Sequence, residues 1–155
     1  MKYMIRPAVP HDCARIALHA LPEDAREAEA RGLVTAGVAL LSSFNNSISV
    51  YSVVVEDEAV MMFGAIERES ASPTNGAAVV WLVCADDWRK AKRFWLRELK
   101  RYVALGLRRY EVIYNRVLAE KTDTIRWLRW AGFDISPVER DAQGVEFHTF
   151  TKWSN

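Results

Sequence analysis

An unbroken apolar segment, residues 77–84 (AAVVWLVC), constrains the fold of this 155-residue chain more than any other feature. It has the length of a strand, and a strand that is apolar on both faces lies in the middle of a sheet. Residues 112–118 (VIYNRVL) form a second such segment. From Trp88 to Val103, between the two, apolar residues recur at helical spacing. Strand, helix and strand in that order predict a right-handed parallel crossover.

The sequence on either side of this crossover predicts antiparallel strands and shorter helices. Before the crossover, the sequence predicts a strand at 5–7, a helix capped by Asp12 and ended by Pro22, and a second helix from Glu23 or Asp24 towards Leu41, whose continuity Gly32 and Gly37 put in question. A hairpin over 47–68 and a loop over 70–76 follow. After the crossover, the sequence predicts a helix capped by Thr122 or Asp123 and ended at Gly132, and a closing hairpin of 133–139 and 145–152. The order β-α-α-β-β-β-α-β-α-β-β describes one mixed α/β domain over residues 1–155.

Charge and composition narrow the classes of function. The chain has 21 basic and 20 acidic residues, but residues 88–109 hold nine of the basic residues and one acidic residue. Nucleic-acid binding through this segment is the least favoured function, because its aromatic residues follow the apolar stripe of the helix. No window approaches the roughly 18 apolar residues of a membrane span, so a cytoplasmic protein is expected. The two cysteines and three histidines lack metal-ligand spacing, so no metal site is expected.

Two segments at opposite ends of the chain resemble a known family. Residues 5–12 (IRPAVPHD) look like the opening strand and helix of the GNAT (N-acetyltransferase) fold, and residues 125–133 (IRWLRWAGF) look like its last helix and turn. With EAEARG, KAKRFW, IYNRV and GVEFHTFTK, the chain is similar to a narrower group, the GNAT-like phage proteins that include the small internal virion protein of short-tailed phages. The resemblance implies acyl transfer from acetyl-CoA to an amine, in the host cytoplasm or the virion.

The resemblance also implies where the cofactor binds. The strands at 77–84 and 111–118 should splay, so that pantetheine pairs with the first strand and a backbone N–H near Leu82 or Val83 polarises the thioester carbonyl. The family's phosphate pattern, Arg/Gln-x-x-Gly-x-Gly/Ala, is degenerate at residues 86–91 (DDWRKA). The cations Lys90, Lys92 and Arg93 would bind the phosphates or form a solvated helix face, and the second interpretation is favoured. We therefore expect acetyl-CoA binding to be weak or absent.

Acyl transfer needs a general acid and a general base, and the sequence lacks the tyrosine that the family often uses as the acid. GNAT enzymes often place a tyrosine in the last helix, and that place falls at Leu128, which cannot donate a proton. Tyr114 is the substitute acid, with Tyr110 as the alternative. Glu67 is the candidate base; Glu69 and Glu111 are equivalent alternatives at strand ends. Asn115 interrupts an apolar strand, and its amide is expected to bond the cofactor or the acceptor. Lys121 stands where GNAT sequences often carry an Asn that contacts CoA.

A second hypothesis is a non-catalytic GNAT-fold protein that acts by binding a protein, either inside a virion or on a host target. It rests on the degenerate phosphate loop and the missing tyrosine. Trp127 and Trp130 cannot both point inward from one short helix, so one of them is expected on the surface, where exposed aromatic residues mark interfaces. A homodimer through the closing hairpin stays open.

Overall fold

A computed structural model describes residues 1–22, 24, 26, 35–72 and 75–154 of the chain. The strands are β1 (Tyr3–Pro7), β2 (Ser49–Val55), β3 (Glu58–Ser72), β4 (Asn75–Cys84), β5 (Val112–Leu118), β6 (Asp134–Ile135), β7 (Glu139–Arg140) and β8 (Glu146–Trp153). The α-helices of the described residues are α1 (Pro10–Leu18), α2 (Ala36–Asn46), α3 (Lys92–Arg109) and α4 (Thr122–Trp130), and a 3₁₀ turn, η1 (Trp88–Ala91), leads into α3. The strands form one sheet in the order β1-β2-β3-β4-β5-β8-β6, with β7 paired to β8.

The fold is the predicted mixed α/β class. The pairing of β4 with β5 is parallel and that of β5 with β8 is antiparallel, so the sheet is mixed and the predicted parallel pairing of the two apolar strands is confirmed. None of the described helices is long and apolar enough to cross a membrane.

The contacts divide the chain into two compact units. The first comprises residues 1–66 and 81–95, and the second comprises residues 67–80 and 96–155, so β3, β4 and α3 contribute residues to both. The core of the first unit includes Ile16, Leu40 and Met62, each at most 1% exposed. In the second unit Phe133 and Phe150 pack edge to face, with ring centroids 5.2 Å apart. Each unit therefore has an apolar interior of its own.

The helix starts differ from the predictions. Helix α1 begins at Pro10, because the fixed φ of proline suits the first helical position. Asp12 lies three residues beyond the cap, Val9, and its carboxylate accepts the Val9 backbone N–H at 3.0 Å. Helix α4 has Lys121 as its N-cap residue, so Thr122 and Asp123 belong to its first turn.

Helix α2 and the loop before β4 also differ from what the sequence suggested. Helix α2 begins at Ala36, where the Thr35 hydroxyl accepts the Val38 N–H at 3.1 Å, and it runs to Asn46. Of the predicted helix start at 23–34, including Gly32, only Asp24 and Arg26 lie among the described residues. The loop predicted over 70–76 is wrong for most of its length, because strand pairing carries β3 to Ser72 and β4 starts at Asn75.

Candidate functional site

The two parallel strands β4 and β5 pair over only a short stretch. Residues 77–79 stand opposite residues 112–114, although β4 continues to Cys84 and β5 to Leu118. Immediately after the last pair, the Asn115 Nδ2 donates to the Val80 carbonyl at 2.8 Å. A side-chain bridge that replaces a backbone bond is expected where two strands begin to part. The backbone ladder thus comprises three residue pairs, and the Asn115–Val80 hydrogen bond follows directly after the last of them.

Asn115 has partners within the chain. Besides its bond to Val80, its Oδ1 accepts the backbone N–H of Arg116 at 2.7 Å. The half-buried Tyr114 precedes it, with Val79 opposite on β4 and Thr151 opposite on β8. Asn115 therefore supports the end of the ladder, whatever else it contacts.

Asp87, in the segment between β4 and η1, forms an ion pair with Arg15 of α1. Both nitrogens of the Arg15 guanidinium donate to Asp87, at 3.1 and 2.8 Å, and the two side chains are only 18% and 20% exposed. Lys90 lies 3.6 Å from the same carboxylate. Burial would raise the pKa of Asp87, but the hydrogen bonds and charge of Arg15 outweigh it and hold the pKa below its ordinary value. Asp87 is therefore an anion at neutral pH.

The backbone amides of this segment are also engaged. The N–H of Asp86 donates to the His19 carbonyl at 2.7 Å, that of Trp88 to Ala85 at 3.1 Å, and that of Lys90 to Asp87 at 3.1 Å. A pyrophosphate site needs free N–H groups and positive charge. Here three amides have acceptors and Asp87 adds a negative charge, and both features disfavour a pyrophosphate group at this segment.

The other predicted site residues lie in varied surroundings. Leu82 and Val83 are half-buried on β4, and Lys92 and Arg93 are exposed in the first turn of α3. Glu67 is exposed on β3, and Glu111 is exposed just before β5; the Glu69 side chain lies outside the description. Tyr110 is 4% exposed, and burial raises its pKa, with Glu67 contributing in the same direction and Arg109 in the other. Leu128 is buried.

The sequence did not predict the hydrogen-bond partners of three carboxylates. Asp24 is 9% exposed and accepts the Cys84 backbone N–H at 3.4 Å. Asp87 pairs with Arg15 across 72 residues, a separation at which no local pattern signals a contact. Asp12, which the sequence predicted only as a helix cap, is buried and binds the Arg6 guanidinium at 2.7 and 3.0 Å. No three His, Cys, Asp or Glu side chains in the described ranges form a group that could hold a metal ion.

Several solved structures that match this architecture are acetyltransferases. An acetyltransferase of the GNAT family from Bacillus anthracis matches with a TM-score of 0.69 at 11% identity, over 99% of this chain and 96% of that one. An aminoglycoside acetyltransferase in complex with coenzyme A matches with a TM-score of 0.63 at 14% identity, over 98% and 95%. A spermidine N-acetyltransferase chimera from Vibrio cholerae and hSSAT matches with a TM-score of 0.66 at 12% identity, over 99% and 97%.

These similarities define the class of fold. Identities of this size show the fold alone, and by that measure the chain has the GNAT acetyltransferase fold. No protein-family model matches the sequence, and the comparison with curated proteins gives no match either.

Proposed function

We propose that this protein transfers an acyl group from an acyl-CoA to an amine, the chemistry that its fold suggests. The observation that carries the proposal is the β4–β5 ladder, which stops after three residue pairs and ends in the Asn115 bridge. A fold neighbour that contains coenzyme A supports the choice of cofactor. The cofactor would supply a thioester carbonyl, and a backbone N–H at Leu82 or Val83 would stabilise the oxyanion that forms when the amine attacks.

Two side chains are assigned to proton transfer in this proposal. Tyr114, on β5 beside the Asn115 bridge, is the acid for the leaving thiolate, and Glu67, on β3, is the base for the amine. Loss of a positioned acid or base costs about 10²- to 10⁴-fold in rate. Tyr114→Phe should therefore lower kcat by at least about tenfold with little change in KM. Tyr3→Phe, a change on an exposed strand, is the matched control and should leave kcat unaltered.

The Asp87 carboxylate should weaken the affinity for CoA through repulsion of the phosphates. We expect Asp87→Asn to tighten acetyl-CoA binding by several-fold, because it removes one negative charge and frees Lys90, while Arg15 keeps its second partner, Glu58, at 3.0 Å. Isothermal titration should show this gain for acetyl-CoA and not for acetyl-pantetheine, which lacks the pyrophosphate. Asp57→Asn, in an exposed turn, is the control. Equal changes for both ligands would contradict the electrostatic explanation.

A second candidate function is a non-catalytic GNAT-fold protein that acts by binding another protein. The Arg15–Asp87 pair and the buried Leu128, at the place where the family often has a tyrosine, favour it. The resemblance to GNAT-like phage proteins would make it an internal virion component or a modulator of a host protein.

Turnover distinguishes the two candidates. Purified protein would be incubated with acetyl-CoA and a panel of amines comprising spermidine, an aminoglycoside and a lysine peptide, with thiol release as the readout. Release that depends on Tyr114 supports acyl transfer. If neither acetyl-CoA nor acetyl-pantetheine binds, acyl transfer is refuted and the binding function remains.

A further inference from the structure

The second unit exposes cations around an indole ring. This basic-aromatic surface consists of Arg97, Lys100, Arg101, Leu105 and Arg108 on α3 and of Arg126 and Trp130 on α4, and all seven side chains are exposed. Two of its members are apolar: Leu105 is 42% exposed and Trp130 is 47% exposed. In contrast Trp127, three residues before Trp130, is 5% exposed, so α4 buries one tryptophan and presents the other to solvent.

The geometry of the two helices makes this surface continuous. Arg97, Arg101, Leu105 and Arg108 follow one another at spacings of four, four and three residues, which places them along one line of α3. The Lys100 ammonium lies 4.1 Å from the centroid of the Trp130 ring and connects α3 to α4 by a cation–π contact. Arg126 lies one helical turn before Trp130, on the same side of α4.

The positive charge of this surface is mostly uncompensated. Arg101 pairs with Glu98 at 3.3 Å, whereas Arg97, Arg108 and Arg126 form no ion pair with the part of the chain that the structure describes. Like charges about one turn apart destabilise a helix. A polyanion placed along α3 would relieve that repulsion, so the surface is complementary to a negatively charged partner.

We propose that the basic-aromatic surface binds an acidic polypeptide segment that carries an apolar side chain. Carboxylates would face Arg97, Arg101 and Arg108, and the apolar side chain would cover Leu105 and the exposed part of Trp130. A nucleic-acid backbone matches the cations but leaves Leu105 against phosphates, so the mixed character favours a polypeptide. Tryptophan and arginine are also the residues that dominate protein interfaces energetically. The surface lies on α3 and α4 and does not depend on whether the protein turns over acyl-CoA.

Fluorescence anisotropy with labelled probes tests this inference on the full chain. The probes are a short peptide of glutamate, aspartate and leucine, the same peptide with lysine in place of its acidic residues, and a single-stranded and a duplex oligonucleotide. We expect the acidic peptide to bind more tightly than the other three and to weaken steeply with salt. The double variant R97E/R108E should bind it at least about tenfold more weakly, since two attractive contacts become repulsive. Because Arg97 and Arg108 are both exposed, the double variant should remain folded, and circular dichroism checks this.

Two further variants sharpen the test. Trp130→Ala should weaken binding of the acidic peptide and should leave binding of an acidic peptide without leucine unchanged. Arg68→Glu, an equal charge reversal on an exposed residue of β3, should change affinity less than twofold. The inference is overturned if the acidic peptide does not bind, if Arg68→Glu weakens it as much as R97E/R108E, or if an oligonucleotide binds more tightly and loses affinity in R97E/R108E.

Discussion

Replacement of Asp12 by alanine should destabilise the first unit strongly, because this carboxylate is buried and holds three different donors. Its side chain is 3% exposed and binds the Arg6 guanidinium, which is 31% exposed, together with the Val9 N–H at 3.0 Å and the Ser52 hydroxyl at 2.8 Å. The Arg6 guanidinium can return to water, so loss of its ion pair with Asp12 costs about 1 kcal/mol. The Ser52 hydroxyl, which is fully buried, is left without an acceptor, and this costs about 1–3 kcal/mol. The Val9 N–H at the helix N-terminus also loses its acceptor, and this costs about 1 kcal/mol. We expect a total of about 3–5 kcal/mol, consistent with broken buried ion pairs.

Urea denaturation at several pH values measures this contribution. Asp12→Ala should lower the free energy of unfolding by about 3–5 kcal/mol and Asp12→Asn, which keeps the shape and one acceptor, by about half as much. Asp86→Ala is the control, since this carboxylate is 63% exposed and only 4.0 Å from His19; it should change stability by less than about 0.5 kcal/mol. Equal effects of the Asp12 and Asp86 substitutions would refute the reasoning.

The sign of the pH dependence provides an independent check on Asp12. Burial would raise its pKa, but hydrogen bonds from Arg6, the Val9 N–H and Ser52 hold the pKa below the ordinary value of 3.8. A group whose pKa is lowered by folding stabilises the protein above its unfolded pKa, and the stabilisation is lost as pH falls through the folded pKa. The difference between wild type and Asp12→Asn should therefore be constant near neutral pH and shrink on acidification below about pH 4. A difference that grows on acidification would contradict the assigned direction.

Two further predictions concern the sheet and one of its glycines. Asn115→Ala should lower the free energy of unfolding by about 1–3 kcal/mol, because the Val80 carbonyl and the Arg116 N–H lose their partner; chemical denaturation measures it. Gly64→Ala should cost about 1–3 kcal/mol, since a Cβ there would lie 2.9 Å from the Trp81 ring, whereas Gly106→Ala, whose Cβ would meet Ile113 at 3.9 Å, should stabilise α3 by up to about 1 kcal/mol in thermal denaturation. Equal shifts in the two variants would contradict this steric argument.

The parts of the fold that the sequence predicted well depend on local patterns. Local patterns specify a strand, a helix and a strand: the apolar runs of β4 and β5 and the apolar stripe of α3. Two strands joined by a helix in this way usually lie parallel in one sheet, which predicts the crossover. The predicted left-handed helix end at Gly132 is observed, with φ of 94°. Errors concentrate at boundaries: turn residues in 70–76 suggested a loop, although sheet pairing extends both neighbouring strands into that range. Tertiary pairing overrode local turn preference there.

The site was less predictable because its interactions connect distant residues. The degenerate phosphate pattern at 86–91 was visible in the sequence, but the ion pair between Asp87 and Arg15 was not, since Arg15 lies on helix α1, far from Asp87 in the sequence. Asn115 illustrates the same limit. Its interruption of an apolar strand predicted a bond to the cofactor or the acceptor, which stays a prediction, and the partner that the structure shows is the Val80 carbonyl of the neighbouring strand.

Under the proposed function, the Arg15–Asp87 pair would link the stability of the first unit to an affinity for CoA. Arg15 is 18% exposed and also binds the exposed Glu58 at 3.0 Å, so neutralising Asp87 removes the less exposed of its two carboxylate partners, and the free protein should become less stable. Lys90 would lose its ion pair with Asp87 and become available to the phosphates of a ligand. A ligand that binds only the folded state restores stability in proportion to its concentration relative to its Kd. Asp87→Asn should consequently lower the thermal midpoint of the free protein yet show a larger stabilisation by acetyl-CoA than wild type. A structural carboxylate with no bearing on phosphate binding would produce the first effect without the second.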